Sequence, residues 1–247
     1  MAGARAERRG EAAAVVAGEG GEVEDPVEGA PREEPLEARP APVPGEPLDA
    51  IAEGVGAGAA VEEGDPVAAG EEVVILTMTG GELGVAGKDP AEARATRADE
   101  ARNAASVLGA KVEPFGAVDG SLAVDAAGTR KLVEILARLS PSLVLAPWPL
   151  DVHPDHQASG LLAWRAFQDT RLRFQLYFYE TCNAPHTTSF RFDPTDYVDV
   201  TSAMKKKQDA TLRHRSQGPA DWLEQYTTLA RVRGFEVVVA NGQAVLV

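Results

Sequence analysis

The sequence lacks most features of secreted and membrane proteins. Cys182 is its single cysteine, so no disulfide can form within the chain, and a disulfide-stapled domain is excluded. No uninterrupted apolar stretch approaches the roughly 20 residues that a helix needs to cross a bilayer. The early run of Arg and Ala is interrupted by Glu7 and Glu11, which argues against a signal peptide. We therefore expect a cytoplasmic protein without a membrane span.

Basic residues are too few for a nucleic-acid-binding face. The chain has 24 Lys and Arg against 38 Asp and Glu, a formal net charge of −14. The densest basic run, Lys205 to Lys207, favours a solvated helix surface over a phosphate-binding patch. The turn 80–84 lacks the Gly-x-Gly-x-x-Gly spacing of a dinucleotide loop. We expect no nucleic-acid partner, and the sequence leaves a homo-oligomer open.

Residues 1–70 use an unusually small set of amino acids. They contain no Ser, Thr, Asn, Gln, Lys, His, Cys or aromatic residue. Such an acidic segment, rich in Pro and Gly, cannot bury enough apolar surface to offset the entropy of ordering it, which predicts disorder. A GC-rich gene read in a shifted frame would give the same set, so a frame error upstream of about Gly70 is a second hypothesis.

Strand and helix signals alternate along residues 71–247, a length that suits one domain with a sizeable core. This alternation predicts βαβ units, and thus an α/β, Rossmann-like fold with a mostly parallel sheet flanked by helices. The predicted strands are 73–79, 111–115, 143–146, 174–179 and 197–200, and the predicted helices are 90–108, 128–139, 154–167, 202–214 and 220–232.

The most reactive side chains follow the strand 143–146. Two imidazoles, His153 and His156, lie there beside two carboxylates, Asp151 and Asp155. Reacting groups in an open α/β sheet gather at the carboxyl ends of the strands. Imidazole is the commonest biological metal ligand and titrates near neutral pH. The loop therefore predicts a zinc and proton-transfer site for metal-assisted hydrolysis.

Simpler interpretations of the candidate residues stay open. A His-x-x-His spacing beside Pro154 is also typical of an ordinary helix start. Arg97 and Glu100, three residues apart on a helix, would form a surface ion pair. Asp119, in a loop after a strand, would be a turn residue. His214, near a helix end, is predicted to be a cation that interacts with the helix dipole.

The order of motifs over roughly residues 71–235 resembles the PIG-L/LmbE-like family of zinc-dependent N-deacetylases. The His-Pro-Asp-His loop at 153–156 is the most specific match. The other matching segments are the strand and turn 73–84, the helix with Arg97 and Glu100, and the segments 118–122, 185–188, 197–200 and 216–217.

The resemblance implies an LmbE-like domain over residues 71–247, incomplete at its N-terminal side, and a Zn²⁺-dependent hydrolase. The implied reaction removes an N-acetyl group from a small glycoconjugate that contains N-acetylglucosamine. His156 would be a zinc ligand, and His153 would stabilise the oxyanion. Either Asp155 or Asp151 would orient His153. The implied substrate contacts are Glu82, Arg97, Asp119 and His186.

The chain departs from the family at the first motif. Members begin with a strand followed by Ala-His-Pro-Asp-Asp, which supplies two zinc ligands and the general base, whereas no histidine precedes His153. The first strand is expected within residues 40–60, where Leu48 to Ile51 is short and polar. Two interpretations follow: a deacetylase whose N-terminal sequence contains a frame error, and a catalytically inactive member that binds a sugar or a protein.

Overall fold

The structure is a computed structural model that describes residues 12–17, 61–63, 72–169, 172–184, 187–188 and 190–236. Its elements in chain order are β1 (Ala12–Ala17), β2 (Val61–Glu63), β3 (Glu72–Thr79), α1 (Pro90–Leu108), β4 (Lys111–Ala117), α2 (Ala126–Leu139), β5 (Pro141–Pro147), α3 (Pro154–Phe167), β6 (Gln175–Tyr179), β7 (Cys182–Ala184), β8 (Thr187–Thr188), β9 (Tyr197–Asp199), α4 (Met204–Thr211), a 3₁₀ turn (Arg215–Gln217) and α5 (Pro219–Phe235).

Five strands form one sheet in the order β4-β3-β1-β5-β6, and every neighbouring pair in it is parallel. Two short pairs lie outside it: β2 runs parallel to β9, and β7 runs antiparallel to β8. The predicted Rossmann-like α/β fold is confirmed. No helix in the part of the chain that the structure describes is long and apolar enough to span a bilayer.

The centre of the sheet is formed by β1, which pairs with β3 on one side and β5 on the other. The expectation of a first strand within residues 40–60 is therefore wrong, since the strand lies at Ala12–Ala17. This strand falls inside the segment 1–70 that is predicted to be disordered or misread, and it pairs with β3 and β5. Apart from β1 and β2, residues 1–70 lie outside the described residues, and the predictions of disorder and of a frame error for them stay predictions.

The bounds of α1 and α3 agree with the sequence because both helices carry readable end signals. Asp89 caps α1, and its carboxylate accepts hydrogen bonds from the backbone amides of Ala91 and Glu92. Gly109 ends α1 with a left-handed backbone, φ 79°. Pro154 occupies the first turn of α3, where its fixed φ suits the helix.

The core lies between the sheet and the helices α2 and α3. Leu76 and Met78 from β3 are fully buried there, as are Val144 from β5 and Leu162 from α3. Gly160 lets α3 approach the sheet closely: a Cβ atom at this position would lie 2.4 Å from the Pro147 carbonyl oxygen. This contact sets the distance between α3 and the end of β5.

The connections of the sheet reverse direction at its centre. From β1 the chain proceeds to β3 and β4 on one side, and then returns to β5 and β6 on the other. Ligands of doubly wound sheets bind at this reversal, in the crevice outside the carboxyl ends of the strands. The topology therefore places the crevice between the ends of β1 and β5.

Candidate active site

The loop from β5 to α3 brings its polar side chains to this crevice, and all of them are buried. Asp151, His153, Asp155 and His156 are each at most 9% exposed. The rings of His153 and His156 lie 5.0 Å apart between centroids. The structure thus groups the four residues that the sequence selects.

His153 is the N-cap of α3. Its Nδ1 atom accepts a hydrogen bond of 3.2 Å from the backbone amide of Asp155. The simple interpretation as a helix start is thus correct in part, and the cap also fixes the tautomer: with Nδ1 accepting, the proton of the neutral ring is on Nε2. Burial lowers the pKa of His153, and the neighbouring His156 lowers it further. His153 is therefore a neutral Nε2–H donor at pH 7.

Asp151 connects the two histidines. Its Oδ1 atom accepts a hydrogen bond of 2.7 Å from the backbone amide of His153. Its Oδ2 atom lies 3.3 Å from Nδ1 of His156 and accepts a hydrogen bond from the hydroxyl of Thr181. A carboxylate beside Nδ1 favours the tautomer with the proton on Nδ1 and a lone pair on Nε2.

The described residues offer one ligand position for the zinc that the resemblance implies. His156 is buried, and a carboxylate beside the other ring nitrogen, as Asp151 is beside Nδ1 here, usually orients a histidine that binds a metal. Within the described ranges, no three His, Cys, Asp or Glu side chains are grouped as a metal site. Because structural and catalytic zinc sites use three or four protein ligands, these residues fit part of a zinc site and not a whole one.

The carboxylate of Asp155 anchors a neighbouring loop. Its two oxygens accept hydrogen bonds from the backbone amides of Gly120, at 2.7 Å, and Leu122, at 3.1 Å. Both oxygens are thus engaged with the segment between β4 and α2, and the contact with His153 is made by the backbone of Asp155. This anchoring brings Asp119, the residue before Gly120, to the site.

Asp119 joins the end of β3 to the turn that follows. Its carboxylate accepts a hydrogen bond of 3.1 Å from the backbone amide of Leu83 and lies 3.4 Å from the hydroxyl of Thr79. Burial raises the pKa of Asp119, and the charges of Asp155 and Glu82 raise it further. Asp119 is thus a buried member of the acidic group at the crevice as well as a turn residue.

Glu82, in the turn after β3, has one engaged oxygen and one open oxygen. Its Oε1 atom forms an ion pair with Arg94. Its Oε2 atom is buried and has no hydrogen-bond partner in the described part of the chain. Burial by itself raises the pKa of Glu82, but hydrogen bonds from its own backbone amide and from Arg94 outweigh burial, so the pKa is lowered. The side chain is therefore charged and has an acceptor to offer.

Arg97 belongs to a buried network on α1. Its guanidinium donates to Glu100 at 2.7 Å and lies 3.3 Å from Nδ1 of His214. Glu100 also accepts hydrogen bonds of 2.7 Å from the backbone amide and the hydroxyl of Ser216. The Arg97–Glu100 ion pair is thus buried and not on the surface. Through Ser216 it ties α1 to the segment before α5. Whether Arg97 also contacts substrate stays a prediction.

The prediction for His214 is wrong. Burial lowers the pKa of His214 to about 4, and the adjacent charge of Arg97 contributes. The ring is therefore neutral at pH 7 and is not a helix-terminal cation. His186, the remaining predicted substrate contact, lies outside the described residues.

Sequence reasoning missed Thr181, whose hydroxyl bonds to Asp151. A signal was present, because Thr181 follows the end of β6 as the histidine loop follows the end of β5. It missed Ser216 as the partner of Glu100 for another reason: the two residues are 116 positions apart, and no local pattern connects them.

The family model of PIG-L, GlcNAc-PI de-N-acetylase, matches residues 57–167. Among solved structures, the conserved protein TT1542 from Thermus thermophilus is 31% identical, with 68% of this chain and 78% of that chain covered and a TM-score of 0.56. The N,N′-diacetylchitobiose deacetylase from Pyrococcus horikoshii is 25% identical, with 72% of each chain covered and a TM-score of 0.56.

A further solved structure shares the fold but has a different named activity. GalB, the 4-carboxy-2-hydroxymuconate hydratase from Pseudomonas putida KT2440, is 23% identical, with 73% of this chain and 83% of that chain covered and a TM-score of 0.59. At this identity the likeness concerns the fold alone. A search of curated proteins gives no match. From the family match and the relative that is 31% identical, the chain belongs to the PIG-L family.

Proposed function

We propose that this chain is a zinc-dependent N-deacetylase that removes the acetyl group from a small glycoconjugate containing N-acetylglucosamine. The observation that carries the proposal is the arrangement of His153 and His156 on one buried carboxylate, Asp151, at the reversal point of the sheet. The family and the named activity of the Pyrococcus horikoshii deacetylase support the reaction class. The single cysteine and the absence of a long apolar run in the sequence support a cytoplasmic location.

Hydrolysis of an N-acetyl group develops negative charge on the carbonyl oxygen. The Nε2–H group of neutral His153 is the donor that we assign to this oxygen, because its other ring nitrogen accepts from the Asp155 amide. A fixed donor in a buried site stabilises an oxyanion without reorganisation, and removal of one such donor typically costs on the order of 100- to 1,000-fold in kcat. Asp155 supports this role by holding the helix start and the loop 120–122 together.

Sugar hydroxyls require acceptors beside the reacting group, and the site supplies carboxylates. Glu82 offers its buried Oε2 atom, and Asp119 lies next to it across the amide of Leu83. We assign hydroxyl recognition to these two residues, with Arg97 and His186 as further predicted contacts.

His156 is the residue that we expect to hold zinc. Bound zinc would lower the pKa of a water molecule to about 7 and so supply a hydroxide near neutral pH. The role of Asp151 is then to orient His156.

The test compares metal content and turnover in the same preparations. Zinc per chain is measured by mass spectrometry, and acetate release is measured with N,N′-diacetylchitobiose. His156→Ala is expected to lose zinc, and His153→Ala is expected to keep zinc and lose most turnover. His214→Gln, which removes an imidazole elsewhere, is the control for metal content. Equal zinc content in the His156 and His153 variants would contradict the assigned roles.

A catalytically inactive, binding-only member is the second candidate. It is favoured by the absence of histidine before His153 and by the lack of a three-ligand group in the described ranges. A wild-type protein that binds N,N′-diacetylchitobiose in calorimetry but neither retains zinc nor releases acetate would establish this alternative.

A further inference from the structure

One buried carboxylate holds the functional groups of the site in place, and one of its partners comes from a different strand. Asp151 contacts the amide of His153 and the ring of His156, both in its own loop. The third partner is Thr181, which is 6% exposed and follows β6, 30 residues further along the chain.

The two residues before Thr181 are anchored on two sides. On the sheet side, the backbone amide of Trp148 donates a hydrogen bond of 3.0 Å to the carbonyl of Tyr179, which extends the pairing of β5 with β6. On the helix side, the carboxylate of Glu180 accepts two hydrogen bonds from Arg233 of α5, at 2.7 and 2.9 Å. The segment directly before Thr181 is therefore tied to β5 and to α5.

We propose that Thr181 is a positioning residue of the site, whose hydroxyl fixes the orientation of the Asp151 carboxylate. The terminal torsion of an Asp side chain has a broad energy profile, so its donors decide where the two oxygens point. With Thr181 and the His153 amide both donating, one oxygen is directed at Nδ1 of His156. In a neutral His156 ring, this contact favours the tautomer with the proton on Nδ1 and the lone pair on Nε2.

The tautomer of His156 can be tested without any assumption about activity. The protein is first freed of metal with a chelator, because a zinc ion on Nε2 would itself fix the tautomer. Nitrogen-15 NMR then distinguishes protonated from unprotonated ring nitrogens, and the chain has only four histidines, so His156→Gln assigns the relevant signals. At a pH where the His156 ring is neutral, the wild-type protein is expected to carry its proton on Nδ1. Thr181→Val, which replaces the hydroxyl by a methyl group, is expected to give a mixture of tautomers. Thr181→Ser, which keeps the hydroxyl, is expected to show the wild-type pattern.

Turnover provides the second readout, and this arm rests on the proposed function. Changes to residues that orient metal ligands typically cost on the order of 10- to 100-fold in activity or metal affinity, so Thr181→Val is expected to lose at least about tenfold in kcat. Thr227→Val is the matched control, because the Thr227 hydroxyl bonds only to the Leu223 carbonyl within α5 among the described contacts. Circular dichroism checks the fold, and Thr181→Ala replaces Thr181→Val if the latter does not fold.

Two outcomes would overturn the proposal. One is a His156 tautomer in Thr181→Val identical to that of the wild type. The other is an equal change in Thr181→Ser and Thr181→Val, which would mean that packing and not the hydroxyl matters. Absence of acetate release from the wild-type protein would refute the deacetylase assignment, whereas the NMR result would still decide the role of Thr181.

Discussion

The close contact between Gly160 and β5 gives a prediction that links the fold to the site. In Gly160→Ala, the new Cβ atom would lie 2.4 Å from the carbonyl oxygen of Pro147, and it would also lie 3.2 Å from Pro149 Cγ. Since real Cβ contacts are essentially never shorter than 3.0 Å, the helix must move by at least 3.0 − 2.4 = 0.6 Å. The obstacle is backbone, so rotation of a side chain cannot relieve it.

Two opposing effects set the magnitude. Replacing Gly by Ala inside a helix stabilises it by about 1 kcal/mol. Overpacking costs about 1–3 kcal/mol, and a forced backbone shift belongs at the upper end of that range. We therefore expect a net loss of about 1–2 kcal/mol in the free energy of unfolding. A displacement of α3 also moves His153 and His156 at its start, and a misplacement of about 1 Å can cost 100-fold in rate.

Urea unfolding followed by circular dichroism measures the loss of stability, and acetate release measures the effect on turnover. Gly128→Ala in α2 is the matched control, because its Cβ atom would approach the Ala123 carbonyl oxygen only to 3.2 Å and needs a few tenths of an ångström. Gly160→Ala is expected to lose more stability than this control. Equal or higher stability than the wild type would refute the close packing of α3 on β5.

Two further predictions concern buried polar groups. Asp155→Ala removes the acceptor for the amides of Gly120 and Leu122. Because hydrogen bonds to a charged group contribute about 1.5–3 kcal/mol, we expect the free energy of unfolding in urea to fall by roughly 3 kcal/mol, and by less in Asp155→Asn. An unchanged free energy of unfolding in Asp155→Ala would contradict the anchoring role. For His214, burial and the charge of Arg97 lower the folded-state pKa from 6.5 to about 4. His214 therefore has no effect on the free energy of unfolding above pH 6.5. As the pH decreases to 4, it lowers the free energy of unfolding by about 2–3 kcal/mol, because only the unfolded state takes up the proton in this range. Melting curves from pH 7 to pH 4 should show this decrease in the wild type and a smaller one in His214→Gln; identical profiles would exclude His214 as the source.

The fold from Glu72 onward was predictable because its elements carry local signals. The helices 90–108 and 154–167 begin at prolines and agree with the structure at both ends. The weakest prediction concerned β1, where AAAVVA is short, rich in Ala and surrounded by Gly and Glu. Ala has a low intrinsic strand propensity. Its strand conformation depends on β3 and β5 on either side, and this tertiary context cannot be read from a local window.

The site shows the same division between local and long-range information. The loop 151–156 is contiguous in sequence, so its chemistry was visible. Contacts between residues of different elements were not visible in the sequence. Examples are the contact of Thr181 with Asp151 and that of Ser216 with Glu100. The role of His214 was misjudged for this reason, since its pKa depends on burial and on Arg97 of a different helix.

The position of β1 indicates where in the chain the missing first motif should be sought. Family members place that motif directly after their first strand, and here the central strand of the sheet is Ala12–Ala17. If β1 is the counterpart of that first strand, the motif belongs in the residues after Ala17, and no histidine occurs there before His153. Translation of the DNA upstream of the Glu71 codon in all three frames separates the two interpretations: a frame that encodes His-Pro-Asp-Asp supports the frame error, and absence of this motif from every frame supports the binding-only member.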